Sequence, residues 1–137
     1  TGGEPFVRKD IMGLFRHLTT FDGLKEISVT TNATLIGPYI EELAALGIKD
    51  VNLSMDAVTK ETFERITRRN QFDIVYENML RLIEQNFKLR INCIVLEGQN
   101  EQEIVPLMEG SNHFIKFDGT IKQSISIFRS VSTVLKN

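Results

Sequence analysis

The sequence has little cysteine, and this scarcity limits the chemistry that the chain carries by itself. Its 137 residues include one cysteine, Cys93, which excludes an internal disulfide and any metal site built from several cysteines of this chain. Cys93 is predicted to be a small buried hydrophobe on a strand. The histidines His17 and His113 have no partners at metal-ligand spacing, so no metal ligand is predicted within the chain.

Long apolar runs are also missing. The longest are interrupted by polar residues within a few positions, far short of the roughly 20 residues that cross a bilayer. The N-terminus shows no basic region followed by an apolar stretch and a small-residue cleavage site. We therefore expect no membrane span and a location in the cytoplasm or the mitochondrial matrix.

The charge balance argues against a polyanionic partner. The chain has 16 basic and 18 acidic residues and a formal net charge of −2, so no broad basic surface for nucleic acid is predicted. Hydrophobic residues make up 42% and charged residues 25%, which are ordinary values for a folded globular protein. The length predicts one domain, or a piece of one.

Helical and extended periodicities alternate along the chain, which predicts βαβ units and a parallel sheet. Strands are predicted at residues 24–31, 49–55, 89–96 and 114–117. Helices are predicted at 10–17, 38–46, 72–85 and 100–109, with a short one beginning at Thr59. Two arrangements fit this pattern, an open doubly wound sheet and part of a (β/α) barrel, and both bind ligands at the C-terminal ends of the strands.

Polar residues gather where the predicted strands end. Thr30, Thr31 and Asn32 close the first strand, and Ser54 and Asp56 close the second. This clustering is the first indication of a ligand site.

The opening segment TGGEP has the same character. Gly3 permits backbone angles closed to other residues and lets a ligand approach the main chain, and Glu4 supplies an anion for a ligand amine. A Gly-Gly turn before a proline is more often ordinary loop chemistry. The segment becomes informative through the blocks that follow it in order.

Four ordered blocks carry a family resemblance: TGGEPFVRKD, ISVTTNATLI, VNLSMDAVTKETFERI and LRINCIVLEGQNEQEI. Together they resemble the radical S-adenosylmethionine (SAM) enzymes, most closely the GTP 3′,8-cyclases of molybdenum cofactor biosynthesis of the eukaryotic type. The resemblance implies an α/β fold, a partial TIM barrel of the radical SAM type that is incomplete at both ends. Residues 1–117 would be its central part and residues 118–137 an unmatched amphipathic tail.

The resemblance also implies cofactors and site residues. A [4Fe-4S] cluster would cleave SAM to a 5′-deoxyadenosyl radical, which would start the conversion of GTP to the cyclic pyranopterin precursor. Gly3, Glu4 and Ser54 match the SAM-binding positions, and Thr30 matches a GTP-binding position. Arg90 stands where the family has a GTP-binding lysine. The substitution keeps the positive charge but replaces a compact ammonium group with a planar guanidinium.

The sequence departs from the family pattern in its cysteines. The family holds its cluster with a Cys-x3-Cys-x2-Cys segment N-terminal to the first block, and this sequence starts after that point. We therefore expect this chain alone to be an inactive fragment of a radical SAM lyase, with the cluster ligands outside it. GTP is the expected small-molecule substrate, and a homodimer of the full-length enzyme is an open expectation.

Other interpretations remain open at this point. The chain could belong to another radical SAM enzyme, such as one that modifies peptides, or to a degenerate non-catalytic barrel module. A metabolite-binding α/β domain would leave the order of the four blocks unexplained. In the tail, helical spacing of apolar residues predicts an amphipathic helix, with the stripe Ile121, Ile125, Phe128, Val131 and Leu135.

Overall fold

The structure, a computed structural model, describes residues 3–109 and 125–130 of the chain. One or two helices separate each strand of this part from the next. The α-helices are α1 (Ile11–Leu18), α2 (Ile40–Ala45), α3 (Lys60–Thr67), α4 (Phe72–Glu84) and α5 (Glu101–Glu109). The strands are β1 (Ser28–Thr31), β2 (Asp50–Ser54), β3 (Lys88–Leu96) and β4 (Ile125–Ser130). The predicted α/β class is confirmed.

The four described strands form one parallel sheet in the order β1-β2-β3-β4. The first strand is shorter than the sequence predicts, because it begins at Ser28 and not at residue 24. Ser28 pairs with Asp50, which is the first residue of β2. The residues before Ser28 therefore have no residue of β2 to pair with. A strand without a pairing partner does not persist.

Helices cover one face of this sheet within the described part. The side chains that point into the covered face are buried: Val29, Thr31, Val51, Leu53, Leu89, Ile91, Cys93 and Val95. The opposite face, which we call the open face, carries polar side chains: Ser28, Thr30, Asp50, Asn52, Ser54, Lys88, Arg90 and Asn92. Sequential strand order with a single covered face is the arrangement of a (β/α) barrel, since a doubly wound sheet has helices on both faces.

The predicted amphipathic helix in the tail is wrong over Ile125–Ser130, which form β4. This segment pairs in parallel with β3, with Ile125 opposite Ile91 and Ser130 opposite Leu96. Alternating isoleucines fit a strand as well as a helix, and the edge of β3 supplies backbone hydrogen bonds. The predicted strand at 114–117 and the rest of the tail lie outside the described residues, so the division at residue 117 stays a prediction.

The loop after β1 is seated on α4. Ala33 is fully buried and has a φ of 59°, in the left-handed region. Its carbonyl accepts a hydrogen bond of 2.8 Å from Nδ2 of Asn78, which is also buried. A Cβ at Gly37 would lie 2.6 Å from Oδ1 of the same Asn78. Glycine at position 37 therefore leaves room for the amide that supports the loop.

Replacing Gly37 with alanine is expected to lower the free energy of unfolding by about 2 kcal/mol, because the added methyl collides with a packed amide. The matched control is Gly13→Ala in α1, where nothing lies within 4 Å of the added Cβ. That change is expected to raise stability by about 0.5 to 1 kcal/mol, the gain of alanine over glycine in a helix. Urea unfolding followed by circular dichroism measures both. Equal effects of the two substitutions would contradict the packing argument.

In the part of the chain that the structure describes, no helix combines the length and the apolar character needed to cross a membrane.

Candidate functional site

Polar residues of neighbouring strands form rows across the open face. Thr30 lies in register with Asn52, and Asn52 with Arg90, so these three residues form a middle row. Ser54 and Asn92, also in register, form an upper row nearer the C-terminal ends of the strands. The structure thus places Ser54 on the same face as Thr30 and Arg90, one row above them.

A third row lies below these two, toward the N-terminal ends of the strands. This floor row consists of Ser28, Asp50 and Lys88, which are in register across β1, β2 and β3. Asp50 is buried, although its neighbours in the row are exposed. A buried acidic group therefore lies between a hydroxyl and a basic residue at the bottom of the open face.

Glu4 is held at the C-terminal end of β1 by its own hydrogen bonds. Its Oε1 accepts from Oγ1 of Thr31 at 2.7 Å, and its Oε2 accepts from the backbone N–H of Asn32 at 2.8 Å. Glu4 also precedes the short 3-10 helix Pro5–Val7 and accepts from the N–H of Phe6 at 3.4 Å. These contacts fix the position of a half-buried carboxylate that retains further acceptor capacity.

Gly3 lies beside Glu4 and has a φ of 86°, a conformation that favours glycine. Together with Glu4, Ser28 and Thr30 it lines a cavity of about 780 Å³. The structure therefore brings together three of the five residues predicted from the sequence, namely Gly3, Glu4 and Thr30. Ser54 and Arg90 lie on the open face but are not among the residues that line this cavity.

Arg90 is engaged with the residues around it. Its Nε donates to Oδ1 of Asn52 at 2.7 Å, and its Nη2 donates to Oγ of Ser28 at 3.2 Å and forms an ion pair with Asp50. Asn52 in turn donates from Nδ2 to Oγ1 of Thr30 at 3.4 Å. Asn52 therefore connects the two residues that the sequence predicts to bind GTP.

Asp50 is stabilised in its ionised form. Burial opposes the charge, but hydrogen bonds from Lys88 and Ser28 and the charge of Arg90 outweigh it, so the pKa of the Asp50 carboxyl lies below its usual value. The ammonium nitrogen of Lys88 is 2.9 Å from Oδ2 of Asp50. Sequence reasoning assigned no role to Asp50 or Asn52, although the alternation of β2 already indicated a polar face for Asn52.

A buried carboxylate connects the loop after β2 with α5. Glu103 accepts hydrogen bonds from the N–H of Val58 at 2.8 Å, the N–H of Thr59 at 3.1 Å and Oγ1 of Thr59 at 2.6 Å. The N–H groups at the start of α3 have no partner within their own helix, so Glu103 satisfies them from another element. The predicted start of α3 at Thr59 is confirmed, but the Thr59 hydroxyl contacts Glu103 and does not cap its own helix.

Asn100 completes this connection. It is fully buried, its Nδ2 donates to the carbonyl oxygens of Asp56 at 2.7 Å and Ile94 at 2.8 Å, and its Oδ1 accepts from the N–H of Leu96 at 2.7 Å. Asn100 and Glu103 have the spacing of an N-capping pair for α5. The helix is where it was predicted, but the Glu103 side chain contacts the loop after β2, and the Asn100 side chain contacts that loop and the end of β3. These partners would otherwise be buried without hydrogen bonds.

The described residues do not supply a metal site. Among them, no group of three or more histidine, cysteine, aspartate or glutamate residues is placed to hold an ion. Cys93 is buried on the helix-covered face, and burial raises the pKa of its thiol to about 11. A thiol in that state is a packing residue.

The chain was compared with known proteins by sequence. The family model of the Radical SAM superfamily matches residues 1–109. A GTP 3′,8-cyclase of Clostridium perfringens is 38% identical over 108 residues, which are 79% of this chain and 33% of that protein. Molybdenum cofactor biosynthesis protein 1 of Dictyostelium discoideum is 33% identical over 133 residues, which are 88% of this chain and 21% of that protein. The chain spans about a third or less of the length of these relatives.

A solved structure shares the fold. The crystal structure of Streptococcus suis SuiB bound to S-adenosylmethionine superposes with a TM-score of 0.66, and the match covers 96% of this chain and 29% of that one. Sequence identity in this match is 22%, so the likeness concerns the fold alone. The predicted partial barrel is confirmed by this match.

Proposed function

Because this chain belongs to the radical SAM superfamily, we propose that it is the central part of a GTP 3′,8-cyclase that acts in molybdenum cofactor biosynthesis. The observation that carries the proposal is the position of Glu4. Its carboxylate is fixed at the end of β1 by Thr31 and Asn32 and opens, with Gly3 and Thr30, onto one cavity. The identity to GTP 3′,8-cyclases over 108 residues supports this assignment.

The residues around Glu4 fit the amino-acid end of SAM. A zwitterionic ligand needs an anion near its ammonium group, and Glu4 provides one in a fixed position. Gly3 leaves the main chain accessible, since nothing lies within 4 Å of the place where a Cβ would be. Ser54, in the upper row, is exposed on the same side of the sheet. When bound and reduced, SAM supplies the radical that removes a hydrogen atom from the substrate.

The middle row fits a nucleotide that lies deeper on the open face. Thr30 offers a hydroxyl and Arg90 a guanidinium, and Asn52 holds the two in a fixed relation. Hydroxyl donors and cations are the groups that recognise a triphosphate. In our proposal GTP therefore lies between the floor of the open face and SAM.

The described residues do not fit the ligand set of a [4Fe-4S] cluster, which needs cysteine thiolates. Cys93 points into the helix-covered face and is not available. We therefore assign no step of the reaction to the cluster from this chain.

Deuterium transfer tests the proposal. In the protein that contains this chain, expressed at the full length of its coding sequence and reconstituted anaerobically, GTP deuterated on the ribose is expected to transfer deuterium into 5′-deoxyadenosine. Mass spectrometry of the deoxyadenosine measures this transfer. Guanosine deuterated in the same way serves as the control, because it lacks the triphosphate that the middle row is proposed to bind.

The alternatives give different results in the same assay. Cleavage of SAM without deuterium from GTP would indicate another radical SAM reaction, such as peptide modification. Absence of SAM cleavage, with an intact cluster shown by its absorption spectrum, would indicate a non-catalytic module. Either result would overturn the proposed function.

Two further expectations belong to the proposal. The full-length enzyme is proposed to act in the cytoplasm or the mitochondrial matrix, and to form a homodimer. Fractionation of cells and light scattering of the purified protein test these points separately from the chemistry.

A further inference from the structure

The Arg90 guanidinium is held in place before any ligand arrives. Nε and Nη2 contact Asn52, Ser28 and Asp50, and no acceptor among the described residues contacts Nη1. The long side chain is thereby fixed on the open face, and the two N–H groups of Nη1 form the free edge that remains for a ligand.

Asp50 differs from the other contacts of Arg90 because it is out of reach of a ligand. The Asp50 side chain is 4% exposed, whereas the Arg90 side chain is 28% exposed. A bound substrate can therefore contact the arginine but not the carboxylate beneath it. Any effect of Asp50 on substrate binding must pass through its neighbours.

Two cations share the Asp50 carboxylate. Arg90 and Lys88 both pair with this one carboxylate, so the three groups together carry a single positive charge. Lys88 is also 3.4 Å from Oε1 of the exposed Glu26. With Glu26 included, the four groups are neutral in sum, but Asp50 divides its charge between two cations, so the Arg90 guanidinium is only partly neutralised by the carboxylate that orients it.

We propose that Asp50 is a positioning residue for the substrate triphosphate, acting by holding Arg90 so that its free edge faces the phosphate groups. The inference rests on the proposed function and deepens it, since it names the part of GTP that Arg90 recognises and the residue that sets its geometry. A phosphate oxygen can accept from Nη1 only when the guanidinium has a fixed orientation, and the buried Asp50 carboxylate supplies that constraint.

The test uses Asp50→Asn in the full-length protein, with Glu26→Gln as the matched control. Both substitutions remove one negative charge near Lys88, but only the first changes a contact of Arg90. Asp50→Asn is expected to weaken GTP binding by on the order of tenfold relative to Glu26→Gln, the scale of one charged hydrogen bond. Binding of guanosine, which has no phosphate, is expected to stay unchanged in both variants. Isothermal titration calorimetry measures all four combinations.

A second pair of variants covers the case in which Asp50→Asn alone fails to fold. The double variant Arg90→Gln/Asp50→Asn loses both partners of the ion pair. Its GTP affinity is expected to equal that of Arg90→Gln alone, because Asp50 then has no arginine to orient. A further tenfold loss in the double variant would overturn the inference, as would GTP binding by Asp50→Asn as tight as that of Glu26→Gln.

Failure of the proposed function has a separate signature. If the unmodified full-length protein binds guanosine and GTP equally, the triphosphate is not recognised, and both the proposed function and this inference fail. If it prefers GTP and the Asp50 variants behave like their controls, the inference alone fails.

Discussion

Replacing Glu4 with glutamine is expected to slow SAM cleavage by on the order of 100-fold in the full-length protein, the cost of misplacing a positioning group by about 1 Å. Glutamine has no charge to pair with the ammonium group of SAM. Its amide nitrogen also cannot accept a hydrogen bond from either Thr31 or Asn32, so the segment before the 3-10 helix loses one of its attachments to β1. Formation of 5′-deoxyadenosine measures the rate, and its dependence on SAM concentration gives KM.

A companion substitution separates charge from position. Thr31→Val keeps the Glu4 carboxylate but removes the hydroxyl that donates to it at 2.7 Å. We expect a smaller loss, on the order of tenfold, because the Asn32 contact of Glu4 remains, although the N–H of Ala33 also loses the Thr31 hydroxyl as its acceptor. Glu84→Gln, an exposed change in α4, is the control for loss of a negative charge. SAM cleavage at the unmodified rate by Glu4→Gln would refute the proposed role.

The Glu103→Ala variant is expected to lose about 3 kcal/mol of its free energy of unfolding, because it leaves three donors without their acceptor in a buried place. These donors are the N–H groups of Val58 and Thr59 and the Thr59 hydroxyl. Gln102→Ala, one position earlier and exposed, is the matched control and is expected to have little effect. Equal unfolding midpoints for the two variants would show that the connection contributes nothing.

Glu103 also predicts a dependence of stability on pH. Burial opposes its ionisation, but the hydrogen bonds from Thr59 and Val58 outweigh it, and the pKa of the Glu103 carboxyl lies below its ordinary value of 4.5. Its contribution is therefore complete above pH 4.5 and decreases as the pH falls through the lower pKa of the folded state. Urea midpoints measured between pH 7 and pH 3 should fall more steeply for the unmodified chain than for Glu103→Gln.

The faces of the strands could be predicted from the sequence because side chains of a strand alternate strictly. Alternation predicts that Val51 and Leu53 share one face and that Asn52 and Ser54 share the other, and the burial along β2 agrees. The same rule could not reveal that Asn52 connects Thr30 with Arg90. That connection depends on the register between three strands, which no single segment contains.

The contacts of the loops were not predictable from local spacing. Asn100 and Glu103 have the spacing of a capping pair, yet Glu103 accepts from Val58, which is 45 residues earlier in the chain. Similarly, Glu4 was predicted as a ligand for an amine, but its contact with Thr31 spans 27 residues. A short polar motif specifies what a side chain can do, and the fold decides which partner it meets.

In the tail, pairing with a neighbouring strand overrides the local pattern of the sequence. Ile125 and Phe128 belong to the stripe whose helical spacing predicts a helix, while Ile125 and Ile127 have the spacing of a strand. The edge of β3 decides the outcome over Ile125–Ser130 by offering a partner along six residues. Local propensity is a weak guide where a neighbouring edge is available.

The spacing of the three rows on the open face determines the depths at which side chains can contact a ligand. Neighbouring rows are two residues apart along a strand, so they are separated by about 6.6 Å at 3.3 Å per residue. An intermediate depth is inaccessible, because a shift of one residue would turn Arg90 and Asn92 into the helical layer and bring Ile91 to the open face. The distance between the upper and middle rows can therefore change only in steps of two residues. Adaptation to a longer or shorter substrate must occur in the loops.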